Sequence, residues 1–97
     1  MNRSEAAKKI AALEAELRLL RQPLSQRLAT LSQAWRLTPK ESEVLGLLSE
    51  AYSNKDIGVR LGIANGTVEI HVSRIMSKSR CYSRAQVIVA AHTGVVP

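Results

Sequence analysis

The chain has few aromatic residues and a single cysteine. Aromatics make up 3% of its 97 residues, and phenylalanine is absent. Domains that bind RNA or single-stranded DNA need exposed aromatic rings on which bases stack, so this composition argues against them. One cysteine, Cys81, excludes an intramolecular disulfide and a multi-cysteine zinc site, and it fits a reducing cytosol. We expect neither a metal nor a cofactor.

Long apolar runs are also missing. The longest, VIVAA at residues 87–91, is far shorter than the roughly 20 residues that cross a bilayer. The N-terminus carries glutamates and has no continuous apolar core, so no signal peptide is predicted. We expect a cytoplasmic protein whose length leaves no room for a separate sensor domain.

Positive charge is in excess. The net charge of +6 and the pI near 10.1 favour a polyanionic partner, nucleic acid before an anionic membrane.

The first part of the chain has a heptad-like apolar pattern. Residues 4–22 are strong helix formers, and a parallel partner helix would bring Lys9 opposite Glu14 and Glu16 opposite Arg21. The pattern indicates a dimerisation stripe, although the same stripe could pack on its own domain. Its members are Ile10, Leu13, Leu17, Leu20 and Leu24.

Pro23 interrupts this pattern and predicts a break followed by a second helix. Leu24, Leu28, Leu31 and Trp35 continue the apolar stripe toward Arg36. We therefore divide the chain into an N-terminal helical extension, residues 1–36, and a domain over residues 37–97.

Two helix starts follow. Thr38 as N-cap, proline at the next position and Glu41 form a capping box that opens a helix reaching about Ala51. Ser53 caps a short helix that runs to Leu61 and ends at Gly62.

The segment TVEIHVSRIM, residues 67–76, alternates like a strand at its start but is better explained as a helix. The helical period places Val68, Val72, Ile75 and Ser79 on one face, whereas a strand leaves Ile75 unexplained. Ile70 then points the other way, beside Ser73, Arg74 and Ser77. An exposed isoleucine suits the methyl group of thymine in a DNA major groove.

Helices over 53–61 and 65–79, joined by a tight turn, predict a helix-turn-helix unit in which Gly58 permits close approach. The blocks LTPKESEVL (37–45), SNKDIGVRLGI (53–63), TVEIHVSRI (67–75) and SRAQVIVAA (83–91) resemble the LuxR/GerE-type DNA-binding domain of bacterial transcription regulators. This resemblance covers residues 37–94 and implies an all-α, four-helix domain whose third helix enters the major groove.

The resemblance also implies residue roles. Asn54 and Lys55 would contact phosphates, Thr67 and His71 would hold the recognition helix on the backbone, and Glu69, Ile70 and Ser73 would face base edges. The last helix, residues 83–93, would supply a dimer contact through Val87, Ile88 and Ala91.

Three departures from the family pattern stand out. Members often have lysine at Glu69 and Ser73. Ala64 replaces the usual cap serine, which leaves capping to Asn65. Arg80 replaces a common glycine and would be strained in a left-handed conformation.

We predict a transcription regulator that binds double-stranded DNA as a homodimer at an inverted repeat. Two 65–79 helices would enter successive major grooves, with Lys55, Arg74 and Lys78 on phosphates. The predicted DNA-binding set is Asn54, Lys55, Asn65, Thr67, Glu69, Ile70, His71, Ser73, Arg74, Ser77 and Lys78.

Three other functions fit the sequence less well. An enzyme is disfavoured because His71, His92 and Cys81 lack a third orienting group. Membrane-surface binding through residues 1–22 is disfavoured by the glutamates of that segment. The main alternative is a protein-interaction module that dimerises with a related regulator and binds DNA weakly, as Glu69 and Ser73 suggest.

Overall fold

The computed structural model describes residues 2–21 and 23–94, except for the side chains of residues 18–21. These residues form six helices and no strand, so the all-α prediction is confirmed and TVEIHVSRIM lies wholly within one helix. The helices are α1 (Arg3–Arg21), α2 (Leu24–Ala34), α3 (Pro39–Ser49), α4 (Asn54–Leu61), α5 (Asn65–Ser79) and α6 (Arg84–Thr93). Within the described ranges, no helix is long and apolar enough to cross a membrane.

Helices α2 to α6 all contribute side chains to the hydrophobic core, and most of these side chains are aliphatic. Helix α3 packs against α5 and α6, α4 packs against α5, and α2 packs against α3 and α6. Cys81 is buried and packs within this core. The predicted inner face of α5 is confirmed, because all four of its members are buried: Val68, Val72, Ile75 and Ser79.

Side-chain caps begin four of the helices, and at the first of them the Asn2 Oδ1 atom accepts a hydrogen bond from the Glu5 N–H at 2.8 Å. The Thr38 hydroxyl accepts a hydrogen bond from the Glu41 N–H, and Ser53 and Ser83 cap α4 and α6 in the same way. Helix α5 differs, because its N-cap is Ala64 and Asn65 is its first helical residue. The predicted capping role of Asn65 is therefore wrong.

Four helices end with the same hydrogen-bond pattern, in which an N–H reaches a carbonyl five residues earlier. The pairs are Leu37 to Ser32, Tyr52 to Leu47, Ile63 to Gly58 and Cys81 to Met76. Gly62 has the expected left-handed backbone, with φ of 68°. Arg80 adopts the left-handed conformation in which strain was expected, at φ 58°, and Arg36 and Ala51 do so at 54° and 63°.

Helices α4 and α5 meet at Gly58. A Cβ atom on this residue would lie 2.7 Å from the backbone oxygen of Ile63 and 3.6 Å from Val68 Cγ2. Real Cβ atoms do not approach a backbone oxygen so closely, so only glycine fits without a shift. The close approach predicted for the helix-turn-helix is confirmed.

The two N-terminal helices differ in their packing. Leu31 and Trp35 of α2 are buried, Leu28 packs against them, and Leu24 is half-buried beside Leu28 in a groove of the domain. Leu24 therefore packs on its own domain, whereas Ile10, Leu13 and Leu17 of the predicted stripe are exposed. On α1 the exposed fractions are 56% for Ile10, 59% for Leu13 and 49% for Leu17, and the Leu20 side chain lies outside the described residues.

The dimer contact predicted for α6 needs correction. Val87 and Ala91 are fully buried in the core of their own domain, so neither side chain can reach a second chain. Ile88 is half-buried, and Val89 is the large apolar residue that α6 exposes.

Candidate nucleic-acid interface

The outer face of α5 lies opposite the buried face that attaches the helix to the core. Small and polar residues dominate it, around a single large apolar side chain, Ile70, that is 52% exposed. This face can approach another surface closely because few long side chains stand in the way. Its exposed members are Asn65, Gly66, Thr67, Glu69, Ile70, Ser73, Arg74 and Ser77.

His71 lies at the edge of this face. It is half-buried, and its Nδ1 atom has no hydrogen-bond partner among the described residues. A contact between His71 and the DNA backbone stays a prediction.

Lys78 has a partner within its own chain. Its Nζ lies 2.5 Å from Glu41 Oε1 and also donates to the backbone oxygen of Arg36 at 3.3 Å. Glu41 is only 1% exposed. The ion pair therefore joins the end of α5 to the start of α3, and it competes with the predicted phosphate contact of Lys78.

The environment of Glu41 sets its charge state. Burial raises the pKa of this carboxyl, but hydrogen bonds from Lys78 and from Thr38, with the positive charge of Lys78, more than offset that effect. The pKa therefore lies below its ordinary value of 4.5, and Glu41 is ionised at neutral pH. A charged carboxylate both caps α3 and holds Lys78.

The start of α4 forms a second part of the candidate interface. Lys55 is exposed there and Asn54 is half-buried. Arg84 of α6 donates from Nη1 to Asn54 Oδ1 at 2.5 Å and from Nη2 to the backbone oxygen of Tyr52. The sequence did not point to Arg84, because its partners lie 30 and 32 residues away.

In the described ranges, no cluster of three or more His, Cys, Asp or Glu residues that could hold a metal ion occurs. The candidate interface instead presents the outer face of one helix, with the exposed cations Lys55 and Arg74 nearby and Glu69 opposing them in charge. A short helix, a tight left-handed turn and a longer helix with an accessible face define a helix-turn-helix DNA-binding domain.

Comparison with known proteins specifies the class further. Residues 36–91 match the family model for bacterial regulatory proteins of the luxR family, and the chain belongs to that family. It carries the DNA-binding domain of a LuxR-family transcription regulator.

Several curated proteins are similar over this region. The chain is 37% identical to the nitrate/nitrite response regulator NarL of Escherichia coli K12 over 57 residues, 59% of this chain and 26% of NarL. It is 45% identical to the transcriptional regulatory protein DegU of Brevibacillus brevis over 53 residues, 55% of this chain and 22% of DegU. LiaR of Bacillus subtilis is 43% identical over 56 residues, 58% of this chain and 26% of LiaR.

The matched region thus spans about a quarter of the length of these relatives. No solved structure is significantly similar to the chain.

Proposed function

We propose that this protein regulates transcription in the bacterial cytoplasm by binding double-stranded DNA as a homodimer, with α5 in the major groove. The observation that carries the proposal is the outer face of α5, where Ile70, Ser73 and Ser77 stand exposed on a helix whose other side is anchored in the core. A helix fits the major groove, and its exposed residues can then reach base edges.

Phosphate contacts supply affinity in this proposal. Lys55 at the start of α4 and Arg74 on the flank of α5 are exposed, so each can approach a phosphate oxygen. Lys78 is left out of this group because Glu41 holds its ammonium. Thr67 and Asn54 would add neutral hydrogen bonds to the same backbone.

Dimerisation is supported by two apolar surfaces. Along α1, Ile10 and Leu13 expose more than half of their surface and Leu17 just under half. Val89 is exposed on α6. A parallel α1 pair would bury the first surface with its flanking charges matched. A symmetric dimer places two α5 helices about one DNA turn apart, so the operator would be an inverted repeat.

Fluorescence anisotropy of a mixed-sequence duplex, titrated with the protein at several salt concentrations, tests the proposal. Binding that weakens steeply as salt rises supports phosphate contact, because each neutralised phosphate adds to the slope. Arg74→Ala should reduce both the affinity and this slope without altering the melting temperature. Lys8→Ala, which removes the same charge from exposed α1, should leave binding nearly unchanged.

A protein-interaction module is the second candidate. Glu69 is exposed on α5 and repels phosphates, and Lys78 is engaged by Glu41, so the recognition face carries little positive charge. Absence of duplex binding at low salt, from protein with an intact thermal transition, would favour this candidate. If DNA is the partner, Glu69→Lys should tighten duplex binding, whereas an interaction module predicts no such gain.

A further inference from the structure

Arg84 connects α6 to the start of α4. It is the first residue of α6, yet its guanidinium donates to the side-chain oxygen of Asn54 and to the backbone oxygen of Tyr52. Both Asn54 and Arg84 are half-buried. The two contacts tie α6 to the residues that lead into the proposed phosphate-binding end of α4.

The contact with Arg84 fixes which way the Asn54 amide faces. A guanidinium has five N–H donors and no acceptor, so only the amide oxygen can face it favourably. The Nδ2 group, with two donor hydrogens, must then point away from Arg84. No acceptor among the described residues binds Nδ2, so both hydrogens are available to an external acceptor.

The chain just before Asn54 is also held in place. One guanidinium nitrogen of Arg84 binds the Tyr52 carbonyl, and the Arg60 guanidinium lies 4.1 Å from the centre of the Tyr52 ring. Ser53 then caps α4 through the Asp56 N–H at 3.1 Å. These contacts restrict the backbone that carries Asn54 as well as its side chain.

We propose that Arg84 is a positioning residue for DNA binding, which orients Asn54 so that Nδ2 donates to a DNA phosphate oxygen. The inference rests on the proposed function and goes beyond it by assigning a role to a residue outside the helix-turn-helix. Arg84 directs two of its five N–H groups to acceptors of its own chain, and the role proposed for it requires no contact of its own with the DNA.

A double-mutant cycle on the full chain tests this role. Binding to a mixed-sequence duplex is measured by anisotropy for wild type, Arg84→Met, Asn54→Ala and the double variant. Each single change should weaken binding about tenfold, the effect of one lost hydrogen bond to a charged group. If Arg84 acts through Asn54, the double variant binds no more weakly than Asn54→Ala alone.

Fold-changes that multiply in the double variant would overturn the inference, because Arg84 would then act independently of Asn54. Arg84→Lys separates geometry from charge, since lysine keeps the charge but lacks the fixed fork of donors. It should weaken binding in the wild-type background and have no effect in the Asn54→Ala background. Wild-type affinity in Arg84→Lys would show that charge alone matters and would also overturn the inference.

Two controls keep the outcomes distinct. Thermal melting shows whether each variant is folded, and if Arg84→Met is not, the cycle is run with Arg84→Lys in its place. Failure of the wild-type protein to bind the duplex at low salt would contradict the proposed function itself. Wild-type binding combined with multiplying fold-changes would contradict only the role of Arg84.

Discussion

At the scale of single residues, α5 ends at an arginine whose backbone has a conformation that favours glycine. Arg80 has φ of 58°, a left-handed conformation in which a Cβ atom crowds the following carbonyl. We predict that Arg80→Gly raises the free energy of unfolding by about 1 kcal/mol. Urea denaturation measures this gain, and Arg80→Ala is the matched control, because it removes the same charge but keeps the Cβ atom and should bring no gain.

Glu41 should make stability depend on pH. Its pKa is lowered in the folded protein, so its stabilising contribution is complete above the ordinary pKa of 4.5 and is lost as pH falls through the lower folded value. Glu41→Gln should cost about 2 kcal/mol at pH 7. In urea denaturation from pH 7 to pH 3, the difference between the two proteins should shrink below pH 4.5.

Glu43→Gln is the control for this experiment, because Glu43 is exposed and its ion pair, as far as the described residues show, is with the neighbouring Lys40 on the surface. It should change stability little at any pH. A difference between wild type and Glu41→Gln that stays constant across the range would show that the charge of Glu41 is not what stabilises the fold.

Local rules explain which residue roles could be predicted from the sequence. The capping box at Thr38 and the left-handed Gly62 depend on neighbours three or four positions away, so the pattern alone was sufficient. The Lys78 to Glu41 and Arg84 to Asn54 contacts join residues 37 and 30 positions apart. Such pairs depend on how helices pack, which the order of residue types does not reveal.

At the scale of helices, the close contact between α4 and α5 requires glycine at position 58. Gly58→Ala would bring a Cβ atom to 2.7 Å from the Ile63 oxygen, so the two helices must separate. We predict a loss of about 1–3 kcal/mol in unfolding free energy. Gly46→Ala is the matched control within a helix, because nothing lies within 4 Å of its new Cβ, and it should gain about 0.5–1 kcal/mol.

Equal effects of the two alanine substitutions would contradict this close contact. If the contact sets the angle at which α5 is presented, Gly58→Ala should also weaken duplex binding at temperatures where the variant remains folded.

The helices differed in how clearly the sequence defined them. In α5 a strong contrast between apolar and polar positions identified both the helix and its buried face. In α6 the run VIVAA has almost no such contrast, so the pattern could not tell inward from outward residues. The structure buries Val87 and Ala91 and exposes Val89, which reverses part of the predicted dimer surface.

At the scale of the whole molecule, α1 should decide the oligomeric state. Leu13→Asp combined with Leu17→Asp places two charges on the exposed stripe, and a parallel helix pair cannot bury them without a large cost. We predict a shift from dimer to monomer in sedimentation equilibrium. Duplex affinity should fall as well, because a monomer contacts one half-site at a time.

The control has the same charge and spacing on the other side of the helix. Ala11 and Ala15 are exposed and lie outside the stripe, so Ala11→Asp with Ala15→Asp should leave the dimer intact. If the stripe variant keeps the mass of the wild type, α1 does not hold the chains together, and the exposed surface of α6 becomes the next one to test.

The left-handed residues at the helix ends also bear on how this domain can evolve. Arg36, Ala51 and Arg80 each occupy a conformation that glycine adopts more readily. A single replacement at any of them would add stability without touching the outer face of α5. Such gains can offset the destabilising changes that new operator preferences often require. The stability gained at these positions would let the domain acquire a different DNA specificity while remaining folded.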